Sequence, residues 1–280
     1  MQRDPEPTRP LRAVFAKFFR DRGTHLAAMI AYYALLSFFP LVFLALALLG
    51  LTGRAGETSF VVTELERAFP GASIKSLVNV VHTVQRNATT LGIIGGVALL
   101  WASLSLFSVL ESAFNIVYDL PNRSFLHGKR LALVFMTSAL VTLFAGLLAG
   151  SLGHDVLKHF ASGFVANTYV AGTISVIAST LGVFAFLLFA YYRLPNRKLT
   201  VREVLPGAIV ATIALESTFQ VLPVYLRLSN NVPAAQAFGG PVILLVWLYV
   251  MANVIVFGAE VNWFLARRRE APEPEVVGLA

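Results

Sequence analysis

The sequence predicts an all-α fold of the membrane class: a polytopic integral membrane protein, a bundle of about six transmembrane helices with both termini cytoplasmic. Three observations predict it. Hydrophobic residues make up 57% of the 280-residue chain and charged residues 13%, against about 25% charged in an ordinary soluble domain. Six apolar runs each reach the ~20 residues that a helix needs to cross hydrocarbon. The basic residues are dense in every second connecting segment and sparse in the others.

Taken in order, residues 1–24 form a cytoplasmic tail and a basic amphipathic helix. Met1 to Pro10 carry three prolines and several charges and read as disordered. Leu11, Val14, Phe15, Phe18 and Phe19 then recur at helical spacing, interleaved with Arg12, Lys17, Arg20 and Arg22. Such a helix lies on the membrane surface, or extends the first span. No cleavable signal peptide is expected, because the first apolar run is too long for a signal-peptide core.

Residues 25–266 form the six-span membrane domain. Its apolar runs are Leu26–Thr52, Thr89–Tyr118, Leu131–Leu152, Val170–Tyr192, Val204–Tyr225 and Val242–Phe264. Sixteen of the 22 Lys and Arg fall in the segments that share a side with the N-terminus. The positive-inside rule makes that side cytoplasmic. The largest external segment is 53–88. There Phe60, Val61, Leu65, Ala68 and Phe69 form one apolar face and Ile74, Leu77, Val78, Val81 and Val84 another, broken at Pro70-Gly71. This reads as two short interfacial helices. Residues 267–280 form a cytoplasmic disordered tail.

The net charge of +7 would point to nucleic acid in a soluble protein. Here the basic residues flank apolar runs and face anionic head groups instead. The partners expected are therefore membrane lipids and not nucleic acid, with a homo-oligomer or an envelope-assembly partner left open. The absence of Cys excludes disulfides and thiolate chemistry. His25, His82, His127, His154 and His159 include no pair with zinc-helix spacing, and there is no phosphate loop, nucleophile elbow or dinucleotide fingerprint. Neither an enzyme nor a bound metal or cofactor is expected. Any transport would draw on a gradient or a partner.

Two short stretches match each other. Tyr118-Asp119-Leu120-Pro121-Asn122-Arg123 ends the second span and Tyr192-Arg193-Leu194-Pro195-Asn196-Arg197 the fourth. Pro stops a helix and Asn suits a turn. Arg can reach phosphate, which makes Arg123 and Arg197 candidates to bind head groups. Two readings stand: a good tight turn with a basic anchor, or a pair of related hairpins packed as a parallel repeat.

Polar side chains inside the spans need a reason to be there. Ser105, Ser108, Ser112 and Asn115 form a stripe in the second span with Glu111 at its edge. Thr212, Glu216 and Gln220 share a face of the fifth, Glu216 near mid-membrane; Tyr249, Asn253 and Glu260 align in the sixth. Glu216, Gln220, Thr212, Glu111, Asn115, Asn253 and Glu260 are the candidates for a substrate path. Interhelical hydrogen bonding is the plainer alternative, above all for Ser and Thr. Glu216 is expected to face the bundle interior close to Glu111 and Asn115.

The chain resembles the YihY/BrkB family of bacterial inner-membrane proteins over roughly His25 to Trp263. The resemblance is carried by Ala31-Tyr32-Tyr33-Ala34-Leu35-Leu36-Ser37 with Pro40, by Leu194-Pro195-Asn196-Arg197 with Pro206-Gly207-Ala208, and by Glu216. It continues in Phe238-Gly239-Gly240-Pro241, Trp247-Leu248-Tyr249 and Gly258-Ala259-Glu260. Asn230-Asn231-Val232-Pro233-Ala234 departs from the shorter turn usual in the family. The resemblance implies a six-span inner-membrane protein. Members have been labelled a transfer-RNA-processing ribonuclease (ribonuclease BN), which nothing in these residues fits. Others carry a virulence or serum-resistance label, and lipid movement has been suggested. The expected function is a transporter or flippase-like carrier of an amphipathic, anionic lipid; the alternative is a non-transporting scaffold that supports envelope assembly.

Overall fold

The computed structural model describes residues 10–51, 88–124, 126–138, 168–229 and 240–270. The predicted external segment 53–88 (save its last residue), both predicted tails beyond those limits, and the loop around Asn230–Ala234 lie outside the described residues. Among the described residues the regular structure is all α-helix. We number the helices α1 (Pro10–Arg20), α2 (Gly23–Leu51), α3 (Ala88–Val117), α4 (126–138), α5 (Thr168–Arg193), α6 (Val201–Ser229) and α7 (Gly240–Glu270).

Among the described residues three stretches are long and apolar enough to cross a membrane: Ile93–Val117, Val201–Val221 and Pro241–Arg269. Gly23–Phe38 and Thr180–Arg193 are apolar but shorter. Their outward faces are apolar: Ile93, Ile94, Val97 and Trp101 on α3, Ile209 and Ile213 on α6, and Val242, Val246 and Val250 on α7 are all exposed. A belt of this kind is costly in water and neutral in lipid.

The helices follow one another round a ring. α2 packs along α3. Phe107 of α3 meets Phe135 of α4 with ring centroids 5.5 Å apart, and Phe135 meets Phe189 of α5 at 4.7 Å. α5 packs on α6, α6 on α7, and α7 returns to α2. α7 also touches α1 and α3, so it is the hub. Its closest neighbour is α6, where a Cβ on Gly207 would collide with the carbonyl oxygen of Gly258. Small residues allow this approach in lipid, where helices associate by packing rather than by hydrophobic exclusion. The Gly207 N–H donates to Asn262 Oδ1 at 2.6 Å, and Tyr191 of α5 reaches across to donate to the Ile255 carbonyl at 2.7 Å.

α1 is separate from α2, because Arg22 between them takes a left-handed φ of 55°. Val14, Lys17 and Phe18 of α1 are buried, while Phe15 and Phe19 are exposed. Lys17 stands on the bundle-facing stripe. Its Nζ pairs with Glu260 of α7 at 2.9 Å and with Asp21, donates to the Val117 carbonyl at 2.8 Å, and lies 4.1 Å from the Trp263 ring centroid. Glu260 is fully buried. The carboxylate of Glu260, one of the substrate-path candidates, is the buried partner of α1.

Removing one member of a buried pair leaves the other charge uncompensated, at a cost of about 3–5 kcal/mol. Lys17→Ala is expected to lower stability by about that much, and Lys17→Met combined with Glu260→Leu to recover most of it. Thermal unfolding of the detergent-purified protein checks this. A single variant as stable as the parent would show that α1 is not held by this pair.

Candidate functional site: a basic pocket between two matching loops

The two matching stretches meet at one end of the bundle. The first follows a tight helix stop at the end of α3. The Leu120 N–H donates to the Asn115 carbonyl at 2.7 Å and the Asp119 N–H to that of Ile116 at 3.1 Å, with Asp119 at φ 55°. This is the paired hydrogen bonding of a Schellman stop, in which a left-handed residue ends the helix. Asp is one of the few non-glycine residues that tolerate that conformation. The second stretch leads into α6, whose first turn is closed by a capping box: Glu203 accepts from both the N–H and the hydroxyl of Thr200.

Asn115, fully buried, joins the two. Its Nδ2 donates to Asn122 Oδ1 at 3.0 Å, and its Oδ1 accepts from the Asn196 N–H at 2.7 Å. Asn196 in turn donates through Nδ2 to the Pro121 carbonyl at 3.0 Å. Arg123 completes the clasp from the other side. Its guanidinium bonds Glu111 Oε1 at 3.1 Å, the Pro195 carbonyl at 2.7 Å, the Arg193 carbonyl at 3.3 Å, and the Leu194 carbonyl. Each loop thus holds the backbone of the other.

Beside the clasp lies an open pocket of about 780 Å³, lined by Arg123, His127, Arg130, Arg193, Asn196, Arg197 and Lys198, with Leu131, Val134, Tyr192 and Leu199 as its apolar wall. Among the described residues no carboxylate lines it. Val134 and Tyr192 are exposed, so the apolar wall runs out to the outer flank of the bundle. A concave site with convergent cations and an apolar flank suits an anionic amphiphile.

Residues 14–276 match the family model described as Virulence factor BrkB. The chain belongs to the BrkB family. A Bacillus subtilis (strain 168) protein whose name calls it ribonuclease-like, YfkH, is 28% identical over 272 residues, covering 94% of this chain and 97% of its own. A UPF0761 membrane protein of Alteromonas mediterranea is 26% identical, covering 95% of this chain and 92% of its own. One of Rhodospirillum rubrum is 29% identical, covering 87% of this chain and 57% of its own. No solved structure matches. Like other BrkB proteins the chain is a multi-pass inner-membrane protein, and BrkB is not an enzyme family. Among the described residues no cluster of His, Asp and Glu could hold a metal ion.

The structure distributes the sequence-predicted site residues of this BrkB chain over three places. Glu111, Asn115 and Arg123 form the clasp. Arg123 and Arg197 both line the pocket; Arg123 is largely enclosed with its fork on protein acceptors, and Arg197 is more exposed. Thr212 is buried and donates to the Ala208 carbonyl at 2.7 Å; Asn253 donates to that of Tyr249 at 2.7 Å. Glu216 is half-buried, its Oε1 enclosed and without a hydrogen bond, and Gln220 is exposed. Glu216 does not approach Glu111 or Asn115. At 1.5 Å per residue it lies about 22 Å along α6 from the loop end, and Glu111 only about 9 Å along α3. α3 packs mainly along α2, and α6 mainly on α7.

The sequence reading missed three residues. Lys17 shares a stripe with Val14, Phe18 and Asp21, a spacing that could have shown it inward. Asn262 needed knowledge of the Gly207 contact. Arg130 sat unremarked in a basic turn.

Because the Arg123 fork grips carbonyls, Arg123→Lys is expected to cost about 1.5–3 kcal/mol of stability. Arg197→Lys is expected to stay within about 0.5 kcal/mol. Thermal unfolding of the two variants side by side decides; equal losses would refute the division of roles.

Proposed function

We propose that this protein is a carrier of anionic lipid, transporter or flippase-like, which engages the head group in the basic pocket at the cytoplasmic end of a six-span bundle. The pocket carries this reading. Its guanidinium groups can hold phosphate bidentately, and its apolar wall reaches the lipid-facing flank, so a head group can enter while its chains stay in the bilayer. The orientation follows from the excess of basic residues on the side of the N-terminus. The meeting of α1 with the C-terminal part of α7 supports placing both termini on one side. Glu216, an ionisable group at membrane depth with an unbonded enclosed oxygen, is the candidate for coupling to protons or a cation.

One observation favours the scaffold reading instead. Ser105, Ser108, Thr212 and Asn253 bond carbonyls of their own helices, which is the behaviour of packing residues rather than of a polar path.

Proteoliposomes holding the purified protein alone separate the two. Labelled phosphatidylglycerol is expected to cross faster than phosphatidylcholine. Arg193→Gln with Arg197→Gln is expected to slow it at least tenfold at unchanged stability, and Glu216→Gln to slow it without affecting binding. No protein-dependent crossing of either lipid would leave the scaffold. The orientation has its own test in this Cys-free chain. An impermeant thiol reagent applied outside is expected to label a Cys at Glu57 and spare one at Glu273; the reverse pattern inverts the topology.

A further inference from the structure

Glu260 and Asp21 share one ammonium. Lys17 Nζ lies 2.9 Å from Glu260 Oε2 and also binds the carboxylate of Asp21, its neighbour one turn along the chain. Asp21 keeps a second cation, the exposed Arg20, at 3.5 Å. Glu260 is fully buried, and its Oε1 has no hydrogen-bond partner among the described residues. One ammonium balances one carboxylate, and both burial and a like charge favour the neutral form of a carboxyl group. Among the described residues the other elements bring no second cation into contact with Glu260. From the end of α3 comes the Tyr118 phenol, which feels the Glu260 charge and is buried without a hydrogen bond. From α5 comes Tyr191, which is spent on the Ile255 carbonyl. Glu203 of α6 is turned to Thr200, and His25 of α2 is exposed beside Thr24. Arg267, on α7 itself, lies over the Trp263 ring. One side chain separates the buried pair from a polar pocket of about 290 Å³: Trp263 lines that pocket together with Tyr118, and its ring centroid lies 4.1 Å from Lys17 Nζ.

α1 is joined to α2 through Arg22, whose left-handed φ of 55° breaks the helix. Its hold on α7 rests on Lys17, on Phe18 and on Phe15, the last two packed on the Phe257 ring. Lys17 is 4% exposed, and an ammonium at that depth needs a paired charge. Docking of Lys17 favours ionised Glu260, so by linkage a protonated Glu260 disfavours docking. Once Glu260 is neutral, Lys17 can leave with Asp21 as an i,i+4 pair in water, and no lone charge stays behind in the interior. We propose that Glu260 is a proton-binding site that controls α1: ionised, it pins the helix to α7; protonated, it lets the helix swing out about Arg22 and uncover Trp263 and Phe257. This is independent of what the basic pocket binds.

The test is the position of α1 in the full chain in phosphatidylcholine nanodiscs. The chain has no Cys, so spin labels at Ala16→Cys and Arg268→Cys, both exposed positions, report the distance from α1 to α7 by double electron–electron resonance. From about pH 8.5 to about pH 5 the ratio of displaced to docked helix is expected to rise about tenfold or more. Glu260→Gln is expected to be displaced and insensitive to pH. Asp21→Asn, which removes the competing carboxylate, is expected to move the transition to lower pH. Lys17→Met with Glu260→Leu, which keeps apolar contact without charge, is expected to stay docked throughout. His25→Gln is expected to leave the transition in place. A distance that pH does not change in the parent overturns the proposal. So does a transition that persists in Lys17→Met with Glu260→Leu, or one that disappears in His25→Gln. The parent and the apolar pair decide even if Glu260→Gln does not fold.

Discussion

The guanidinium of Arg123 is the point on which the loop end of this protein depends. It stands between the Glu111 carboxylate on α3 and three consecutive carbonyls, Arg193 to Pro195, where α5 ends. A proline in that stretch cannot donate, so the chain presents acceptors without competing donors. A planar fork with several N–H groups suits such a row of oxygens, as a lysine ammonium does not. With Asn115 and Asn196 closing the opposite side, the ends of α3 and α5 become one unit. The basic pocket follows from that, because its two walls are the segments that flank the clasp.

α7 supplies the second constraint. Its close contact with α6 rests on Gly207 and Gly258, and its Glu260 draws Lys17 of α1 into the interior. A buried pair of this kind adds little net stability over an apolar substitute, but it fixes which partner fits. It places α1 against the bundle, with Phe15 packed 4.8 Å from the Phe257 ring while it and Phe19 stay exposed. Both devices lie at the end where the basic loops gather.

Much of this was legible in the sequence. Long apolar runs, the matching Tyr-x-Leu-Pro-Asn-Arg stretches, and the polar residues at Glu111, Asn115 and Glu260 all mark places where the structure does something specific. What sequence could not supply was pairing. Arg123 and Arg197 occupy the same place in the same motif, yet one faces carbonyls of the other loop and the other faces the pocket; only the relative placement of the two loops separates them. Glu216 and Glu111 were expected to meet because both are polar and inward, but helical rise puts them at different depths. The inward turn of Lys17 was not legible, because amphipathic spacing identifies a stripe without saying what it packs against.

The central claim is that the two loops are a single interlocked unit. A double-mutant cycle between Arg123→Ala and Asn196→Ala, read by equilibrium unfolding of the purified protein, tests it most directly. Residues in one hydrogen-bond network couple by about 0.5–3 kcal/mol, whereas independent sites add within about 0.3–0.5 kcal/mol. The account predicts a coupling of at least about 1 kcal/mol. Simple additivity would mean that the loops fold independently and that the pocket between them is not a built site.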